Sequence, residues 1–144
     1  YRLGERAVHL QATRERIVGT AIELYTELGI SATTMRQVGL RADVAPGTLR
    51  NHFHTREELD AAMVERLTAE APLPELSILD GARSIEERLG RLIRVTGTIL
   101  DQSARLYRMW RRERMVTGVW AERGAAYGAR WDELMRLALG ALAH

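Results

Sequence analysis

Residues 34–53 leave room for two short helices, a tight turn between them, and little else. Thr34 is followed three residues later by Gln37, which is the spacing of a helix-capping box. Asp43 tolerates the left-handed backbone conformation and marks the end of the first short helix. Pro46 suits the first turn of the second. The sequence therefore predicts two consecutive short helices whose relative orientation is fixed by the turn.

A longer helix is predicted on the N-terminal side, over residues 13–28. Thr13 is its expected N-cap, and Gly29 follows its last turn. Its apolar residues recur at three- and four-residue spacing, which is typical of one buried helix face. They are Ile17, Ala21, Leu24, Tyr25 and Leu28.

Another helix is predicted to begin at Thr55, which has the capping-box spacing to Glu58. It ends before residues 71–74, Ala-Pro-Leu-Pro, because the residue before a proline disfavours the helical conformation. We expect a domain boundary at this point. The first domain would be residues 1–70 and the second residues 75–144.

Three or four helices are predicted in the second part of the chain, residues 75–144. One opens at Ser84 with Glu87 in a further capping box, another covers about 104–116, and the last begins near Trp120. The apolar face of the first consists of Ile85, Leu89, Leu92, Ile93, Thr96, Ile99 and Leu100. That of the last consists of Gly124, Tyr127, Trp131, Leu134, Met135, Ala138 and Leu142. The expected fold class is all-α.

Composition excludes several kinds of site. The 144 residues contain no Cys, which excludes disulfides and thiolate metal sites, and no apolar run approaches the roughly 18 residues of a membrane span. We expect a cytoplasmic protein with no membrane partner. The sequence begins without Met, so residues that precede Tyr1 in the natural protein are expected. All 21 basic residues are Arg, the side chain best suited to grip a phosphate or a guanine edge.

The second short helix has an apolar side and a polar side. Leu49 and Phe53, four residues apart, are expected to anchor it to the core. The outward side then carries Ala45, Pro46, Thr48, Arg50 and Asn51. His52, His54 and Arg56 follow, where a phosphate backbone would pass. Residues 31–56 hold four Arg against one acid. Together these features predict a helix-turn-helix that inserts its second helix into a major groove of double-stranded DNA.

The segment ATTMRQVGLRADVAPGTLRNHFHTREEL resembles the DNA-binding domain of the TetR family of bacterial repressors. The diagnostic part is Gly-Thr-Leu, then His-Phe, then the helix start Thr-Arg-Glu-Glu-Leu, and the resemblance covers residues 13–70. It implies base and backbone contacts at Arg36, Ala45, Pro46, Thr48 and Arg50, and phosphate contacts at Thr34, His52 and Arg56. A salt bridge to Glu23 or Glu27 is the alternative for Arg36, and a polar cap beneath the helix is the alternative for His52.

The segment departs from the family pattern at two positions. Asp43 stands where the family usually has Gly, and Arg50 where it usually has Tyr. The first is compatible with the turn, since Asp tolerates its conformation. The second exchanges an aromatic contact for a guanidinium, so we expect an operator unlike those of familiar members.

The resemblance implies that the second half encloses a cavity for a small apolar or amphipathic effector and takes part in a homodimer. The candidate lining residues are Tyr107, Trp110, Met115, Trp120, Tyr127 and Trp131. The alternative for each of them is a place in the core, where such aromatic residues more often lie. Arg108 and Arg112 either orient an anionic group or face water. The family's second domain usually extends beyond position 144, so either its last helices lie outside this sequence or the chain is a shorter relative.

No enzyme, cofactor or metal site is predicted. His52 and His54 are two residues apart, which splays them on a helix, and no acid or Cys cluster completes a metal site. Glu57-Glu58 and Glu86-Glu87 lie in first helical turns, where acids favour the helix dipole. The predicted function is a ligand-released DNA-binding repressor. The alternative is a DNA-binding module whose second half only dimerises.

Overall fold

The computed structural model describes residues 2–112 and 118–140, without the side chains of residues 100, 102, 103, 105–107 and 109–112. These residues form six α-helices and one short 3₁₀ helix, and no strand occurs among them. The helices are α1 Arg2–Leu28, α2 Met35–Arg41, α3 Pro46–His52, α4 Arg56–Glu70, the 3₁₀ helix Leu76–Leu79, α5 Ile85–Arg112 and α6 Gly118–Leu139. The all-α prediction is confirmed.

The first core lies where α1 and α4 pack around α2 and α3. Its buried side chains are Ile17, Val18, Ala21, Ile22, Leu24, Tyr25, Val38, Ala42, Leu49, Phe53, Leu59, Met63, Leu67 and Trp120. Six of these fourteen residues lie on α1, where apolar residues at three- and four-residue spacing share one face. Trp120 belongs to α6, so the second half of the chain contributes directly to this core.

α1 begins well before Thr13, so the predicted N-cap is wrong. Thr13 lies inside the helix, and its hydroxyl donates to the carbonyl oxygen of His9 at 3.0 Å. A Thr hydroxyl can bond to the preceding turn as well as cap the following one, so it does not define a helix start. Leu28 is also misplaced in the prediction, because it is 45% exposed. The predicted end is confirmed by Gly29, whose φ is 101°.

Thr55 is the N-cap of α4 and Ser84 that of α5. In both caps, one of the two hydrogen bonds of a capping box is present and the other has a different donor. Each hydroxyl accepts the predicted N–H, from Glu58 at 3.2 Å and from Glu87 at 3.1 Å. The glutamate carboxylates, however, accept the N–H of the residue that precedes the cap, at 2.8 Å in α4 and 3.0 Å in α5. These backbone hydrogen bonds hold the pKa of both carboxyl groups below its ordinary value.

α5 is one continuous helix, Ile85–Arg112, and the separate segment predicted at 104–116 is wrong over its described part. Residues 100–104, Leu-Asp-Gln-Ser-Ala, contain neither Pro nor Gly, so nothing there breaks the helix. The buried face is narrower than predicted. Leu92 is buried, but its neighbour Ile93 is 71% exposed.

A second, smaller core joins α5, α6 and the 3₁₀ helix. Its buried members are Leu92, Leu134 and Ala138, with Leu76, Ile78, Leu79, Leu89 and Trp131 packed around them. α6 begins at Gly118, close to the predicted start near Trp120. Met135 was predicted inside but is 41% exposed, and Leu142 lies outside the described residues.

α4 and α6 meet at the predicted domain boundary. The buried Arg123 donates to the carbonyl oxygen of Ala71 at 2.9 Å, immediately after α4, and Arg130 donates to that of Pro74 at 3.4 Å. The boundary between 1–70 and 75–144 stays a prediction. Within the described part of the chain, no helix is both long and apolar enough to cross a membrane.

Candidate nucleic-acid interface

The turn between α2 and α3 forms as the sequence predicts. The Thr34 hydroxyl accepts the N–H of Gln37 at 3.2 Å, and the Gln37 side-chain oxygen accepts the N–H of Thr34 at 2.8 Å. The capping box is therefore complete. Asp43 has a φ of 54°, in the left-handed region, and α3 then begins at Pro46. This local geometry fixes the direction in which α3 leaves α2.

Gly39 allows α3 to approach α2 closely. A Cβ at this position would lie 3.3 Å from Cδ2 of Leu49 and 3.6 Å from the carbonyl oxygen of Val44. The N–H of Val44 also donates to the Gly39 carbonyl oxygen at 3.0 Å. Gly39 was absent from the predicted site. The signal was its place inside a short helix, where Gly weakens the helix unless close packing requires it.

α3 holds a polar face clear of the core. Leu49 is 6% exposed and Phe53 is 1% exposed, so both predicted anchors are confirmed. On the opposite side, four of the five residues predicted to face outward are exposed and Thr48 is half-buried; the exposed four are Ala45, Pro46, Arg50 and Asn51. A row of exposed side chains on a rigidly anchored helix is the geometry that groove insertion requires.

Arg36 of α2 and Arg50 of α3 line one open groove of about 550 Å³. Both side chains are exposed, and neither has a hydrogen bond or ion pair within the described part of the chain. The alternative salt bridge from Arg36 is wrong for Glu27, which pairs with Arg41 at 2.8 Å. Two unpaired guanidinium groups beside apolar Leu40 and Pro46 can donate to phosphate or to guanine.

Arg56 is directed into the domain, which corrects its predicted phosphate contact. Its Nη1 donates to the carbonyl oxygen of Thr33 at 2.6 Å and its Nη2 to that of Ile30 at 2.5 Å. Its Nε donates to the carboxylate of Asp60 at 3.3 Å. The guanidinium also stacks over the Tyr25 ring, 4.7 Å from its centroid. Arg56 thus joins the start of α4 to the loop before α2.

His52 and His54 have different surroundings. His52 is half-buried at the end of α3, and its carbonyl oxygen accepts Arg14 Nη1 at 3.1 Å. His54 is exposed, with Nδ1 3.4 Å from the Glu58 carboxylate. No group of three His, Cys, Asp or Glu suited to a metal ion occurs in the described ranges.

Two arginines of α1 were missed by the sequence prediction. Arg14 donates to the end of α3 and lies 4.3 Å from the centroid of the Phe53 ring. Arg16 Nε donates to the carbonyl oxygen of Ala42, the C-cap of α2, at 3.0 Å. Last-turn carbonyls have no partner within their own helix. Arg14 and Arg16 supply those partners and so fix both short helices on α1.

The described aromatic residues of the second half lie in different surroundings and do not line one cavity. Trp120 is 2% exposed and packs in the first core, with its ring centroid 6.0 Å from that of Tyr25. Trp131 packs against the second core. Tyr127 is half-buried, and its hydroxyl donates to the Ala71 carbonyl oxygen. Burial raises the pKa of this hydroxyl. The remaining predicted lining residues, Tyr107, Trp110 and Met115, lie outside the described residues, Tyr107 and Trp110 by their side chains.

Of the two arginines that could orient an anionic group, the structure describes the side chain of one. Arg108 is exposed, as its water-facing alternative requires, and the Arg112 side chain lies outside the described residues. Arg123, which was not predicted, is the buried arginine of this region at 7% exposure. Burial lowers the pKa of its guanidinium.

The sequence of this chain is similar to those of bacterial transcriptional regulators. Residues 17–63 match the family model described as bacterial regulatory proteins, tetR family. The chain is 28% identical over 98 residues to the HTH-type transcriptional regulator UidR of Escherichia coli (strain K12), covering 65% of this chain and 48% of UidR. It is also 28% identical over 99 residues to the HTH-type transcriptional regulator TcmR of Streptomyces glaucescens, covering 68% of this chain and 43% of TcmR. The chain thus spans about half the length of the curated relatives it matches, and no solved structure matches significantly.

Proposed function

We propose that the chain is a sequence-specific DNA-binding transcriptional regulator of the tetR family of bacterial regulatory proteins, whose family model matches residues 17–63. The observation that carries the proposal is the pair Arg36 and Arg50, exposed in one groove and unpaired within the described residues. The UidR and TcmR relatives, both called HTH-type transcriptional regulators, support it.

The proposed contacts divide by chemistry. Arg50 donates to O6 and N7 of a guanine, while Pro46 and Thr48 offer apolar contact to a thymine methyl group. Arg36 reaches the same groove from α2, and Ala45 and Asn51 flank the contact. Thr34 and His52 donate to phosphate, which positions the helix without reading sequence.

The regulator acts as a homodimer on a palindromic operator and represses transcription. Two copies of α3 must lie about 34–36 Å apart to enter successive major grooves. A small ligand bound by the second half releases DNA if it favours another spacing, and its effect is limited by its differential affinity for the two arrangements. The packing of Trp120 from α6 into the core of α1 to α4 supports a mechanical connection between ligand and DNA.

Selection from a random duplex pool, followed by fluorescence anisotropy at two salt concentrations, tests DNA recognition. Wild type should select a palindrome. Arg50→Ala should lose about 1–3 kcal/mol and relax one base position, with the salt slope little changed. Arg41→Ala is the matched control, because Arg41 is an exposed arginine already paired with Glu27. If wild type and Arg50→Ala bind every duplex alike, Arg50 does not recognise an operator.

The alternative is that the second half only dimerises. Under that alternative no small molecule changes the affinity for the selected operator. Screening ligands against the protein–operator complex separates the two, since one ligand that lowers operator affinity without unfolding the protein supports sensing. If ligands that bind the free protein all leave its operator affinity unchanged, the second half only dimerises.

A further inference from the structure

Two buried N–H donors on α6 have no acceptor among the residues that the structure describes. They are Trp120 Nε1 and Arg123 Nε, both enclosed, in side chains that are 2% and 7% exposed. Residues three apart on a helix share a face, so both donors belong to the side of α6 that packs towards α1 and α4. A buried donor without an acceptor has lost its hydrogen bond to water and gained none in return, which is unfavourable and more so where the group is charged.

The surroundings of Arg123 are rich in donors and poor in acceptors. Its Nη2 donates to the Ala71 carbonyl oxygen at 2.9 Å, and the Tyr127 hydroxyl donates to the same oxygen. The Arg123 guanidinium lies 4.1 Å from the centroid of the Tyr127 ring. Arg130 donates a hydrogen bond to the Pro74 carbonyl oxygen. The acceptors here are peptide carbonyls, and no carboxylate of the described residues pairs with Arg123.

Among the described residues Arg123 is a buried cation without a counter-ion, an environment that a bound anion would stabilise. Burial without a paired acid disfavours a charged group, and the pKa of Arg123 is lowered for this reason. A neutral acceptor would satisfy the donors but would leave the charge uncompensated. A carboxylate does both, because it accepts several hydrogen bonds and carries the opposite charge.

The chain that adjoins this junction is mostly apolar, with Glu75, Arg94 and Thr98 as its polar members. One residue beyond Ala71, the linker and α5 border a groove of about 370 Å³ whose apolar lining includes Pro72, Leu73, Ile78 and Val95. We propose that Trp120 and Arg123 form a subsite for the carboxylate of a small amphipathic ligand at the junction of α4 and α6. This assignment rests on the proposed function, since it gives the chemical class of the effector that the second half senses.

The subsite gives the ligand a direct route to the DNA-binding helices. Trp120 packs on Tyr25, and Tyr25 lies under Arg56, which holds the loop before α2. A carboxylate bound by Trp120 and Arg123 therefore acts on the side chain through which α6 contacts the first core. It need not enter the groove between α2 and α3.

The test is calorimetric titration of the full chain, without DNA, using hexanoate and the matched neutral amide hexanamide at constant ionic strength. Hexanoate should bind and raise the unfolding temperature, and hexanamide should bind at least about tenfold more weakly. Trp120→Phe removes one donor while keeping an aromatic ring, and it should weaken hexanoate binding about tenfold. Arg123→Gln should weaken it further. Arg130→Gln is the control, because Arg130 has no orphaned buried donor and should leave the affinity unchanged.

Several outcomes would overturn the subsite. They are no hexanoate binding at millimolar concentration, equal binding of hexanamide, or wild-type affinity in Trp120→Phe. The last outcome stays informative even if Arg123→Gln fails to fold, and it would leave a buried water as the partner of the two donors. Because no DNA is present, hexanoate binding without operator selection would retain the subsite and reject the regulator. Operator selection without hexanoate binding would retain the regulator and reject the subsite.

Discussion

At the scale of single residues, arginine serves two opposite purposes in the first domain. Arg14, Arg16 and Arg56 point towards the protein and donate to backbone carbonyls at the ends of the helices and in the loop before α2. Arg36 and Arg50 point away from it. A guanidinium has five donors in a fixed plane, so it can bind two carbonyls at once or grip an external phosphate or base. The inward arginines hold the helices on which the outward ones stand.

Replacing Arg56 with Leu should destabilise the protein by about 2–3 kcal/mol, because charged hydrogen bonds to two carbonyls and to Asp60 are lost together. Urea denaturation followed by circular dichroism measures this change. Arg41→Leu is the control. It removes an exposed ion pair with Glu27 and should change stability by about 0–1 kcal/mol. Equal losses in the two variants would contradict the inward role of Arg56.

The outward residues could be predicted from sequence, whereas the inward ones could not. The spacing of Leu49 and Phe53 identifies the buried side of α3, and Arg50 then lies on the other side. Arg56 bonds to carbonyls 23 and 26 residues earlier in the chain. No local pattern encodes such a partner, so a cationic residue near the site was assigned to phosphate.

At the scale of elements, the hydroxyl half of each of the three predicted capping boxes was right, because it depends on residues within one turn. Thr34, Thr55 and Ser84 all accept the predicted amide. The carboxylate half depends on the direction in which the chain enters the helix, which local sequence does not fix. α1 and α5 run further than predicted for a related reason, since a helix continues wherever nothing stops it.

The Glu58 carboxylate should stabilise the start of α4 in a pH-dependent way. Its pKa is lowered in the folded protein, chiefly by the hydrogen bond from the N–H of His54, so folding favours the ionised form. Its contribution is complete above the ordinary glutamate value of 4.5 and is lost as the pH falls below it, through the lower folded pKa. Glu58→Gln should therefore be less stable than wild type at pH 7 and equally stable at strongly acidic pH. Urea unfolding across this range measures the difference, and a pH-independent gap would contradict it.

Asp43 should be replaceable by Gly but not by a β-branched residue. Its φ of 54° lies in the left-handed region, which costs an ordinary L-residue roughly 1–2 kcal/mol. Asp43→Val should lose about that amount of stability, and operator affinity should fall because the direction of α3 depends on this turn. Asp43→Gly is the control and should fold at least as stably as wild type. Thermal unfolding of both variants decides, and a Val variant as stable as the Gly variant would contradict the proposed role of the turn.

At the scale of the whole molecule, Trp120 makes the two predicted domains structurally interdependent. It lies on a helix of the second half yet is buried among residues of α1 to α4. The sequence placed Trp120 at the start of the last helix but could not show what it touches, because periodicity identifies a face and not its partner. For the same reason the sequence could not show that the Trp120 ring packs against Tyr25.

Unfolding should therefore occur in one transition that depends on Trp120. Trp120→Ala should destabilise the protein by about 3–5 kcal/mol, the range for a buried aromatic side chain, because it opens a cavity where α6 meets the first core. Trp131→Ala is the control, since Trp131 is only partly buried beside the smaller second core, and it should lose markedly less. Urea denaturation followed by helix ellipticity at 222 nm compares them. Hydrogen exchange at α1 and at α6 shows whether both regions open together. If wild type unfolds in two steps, or if Trp120→Ala is no less stable than Trp131→Ala, the two halves fold independently and Trp120 cannot transmit a ligand's effect to α1.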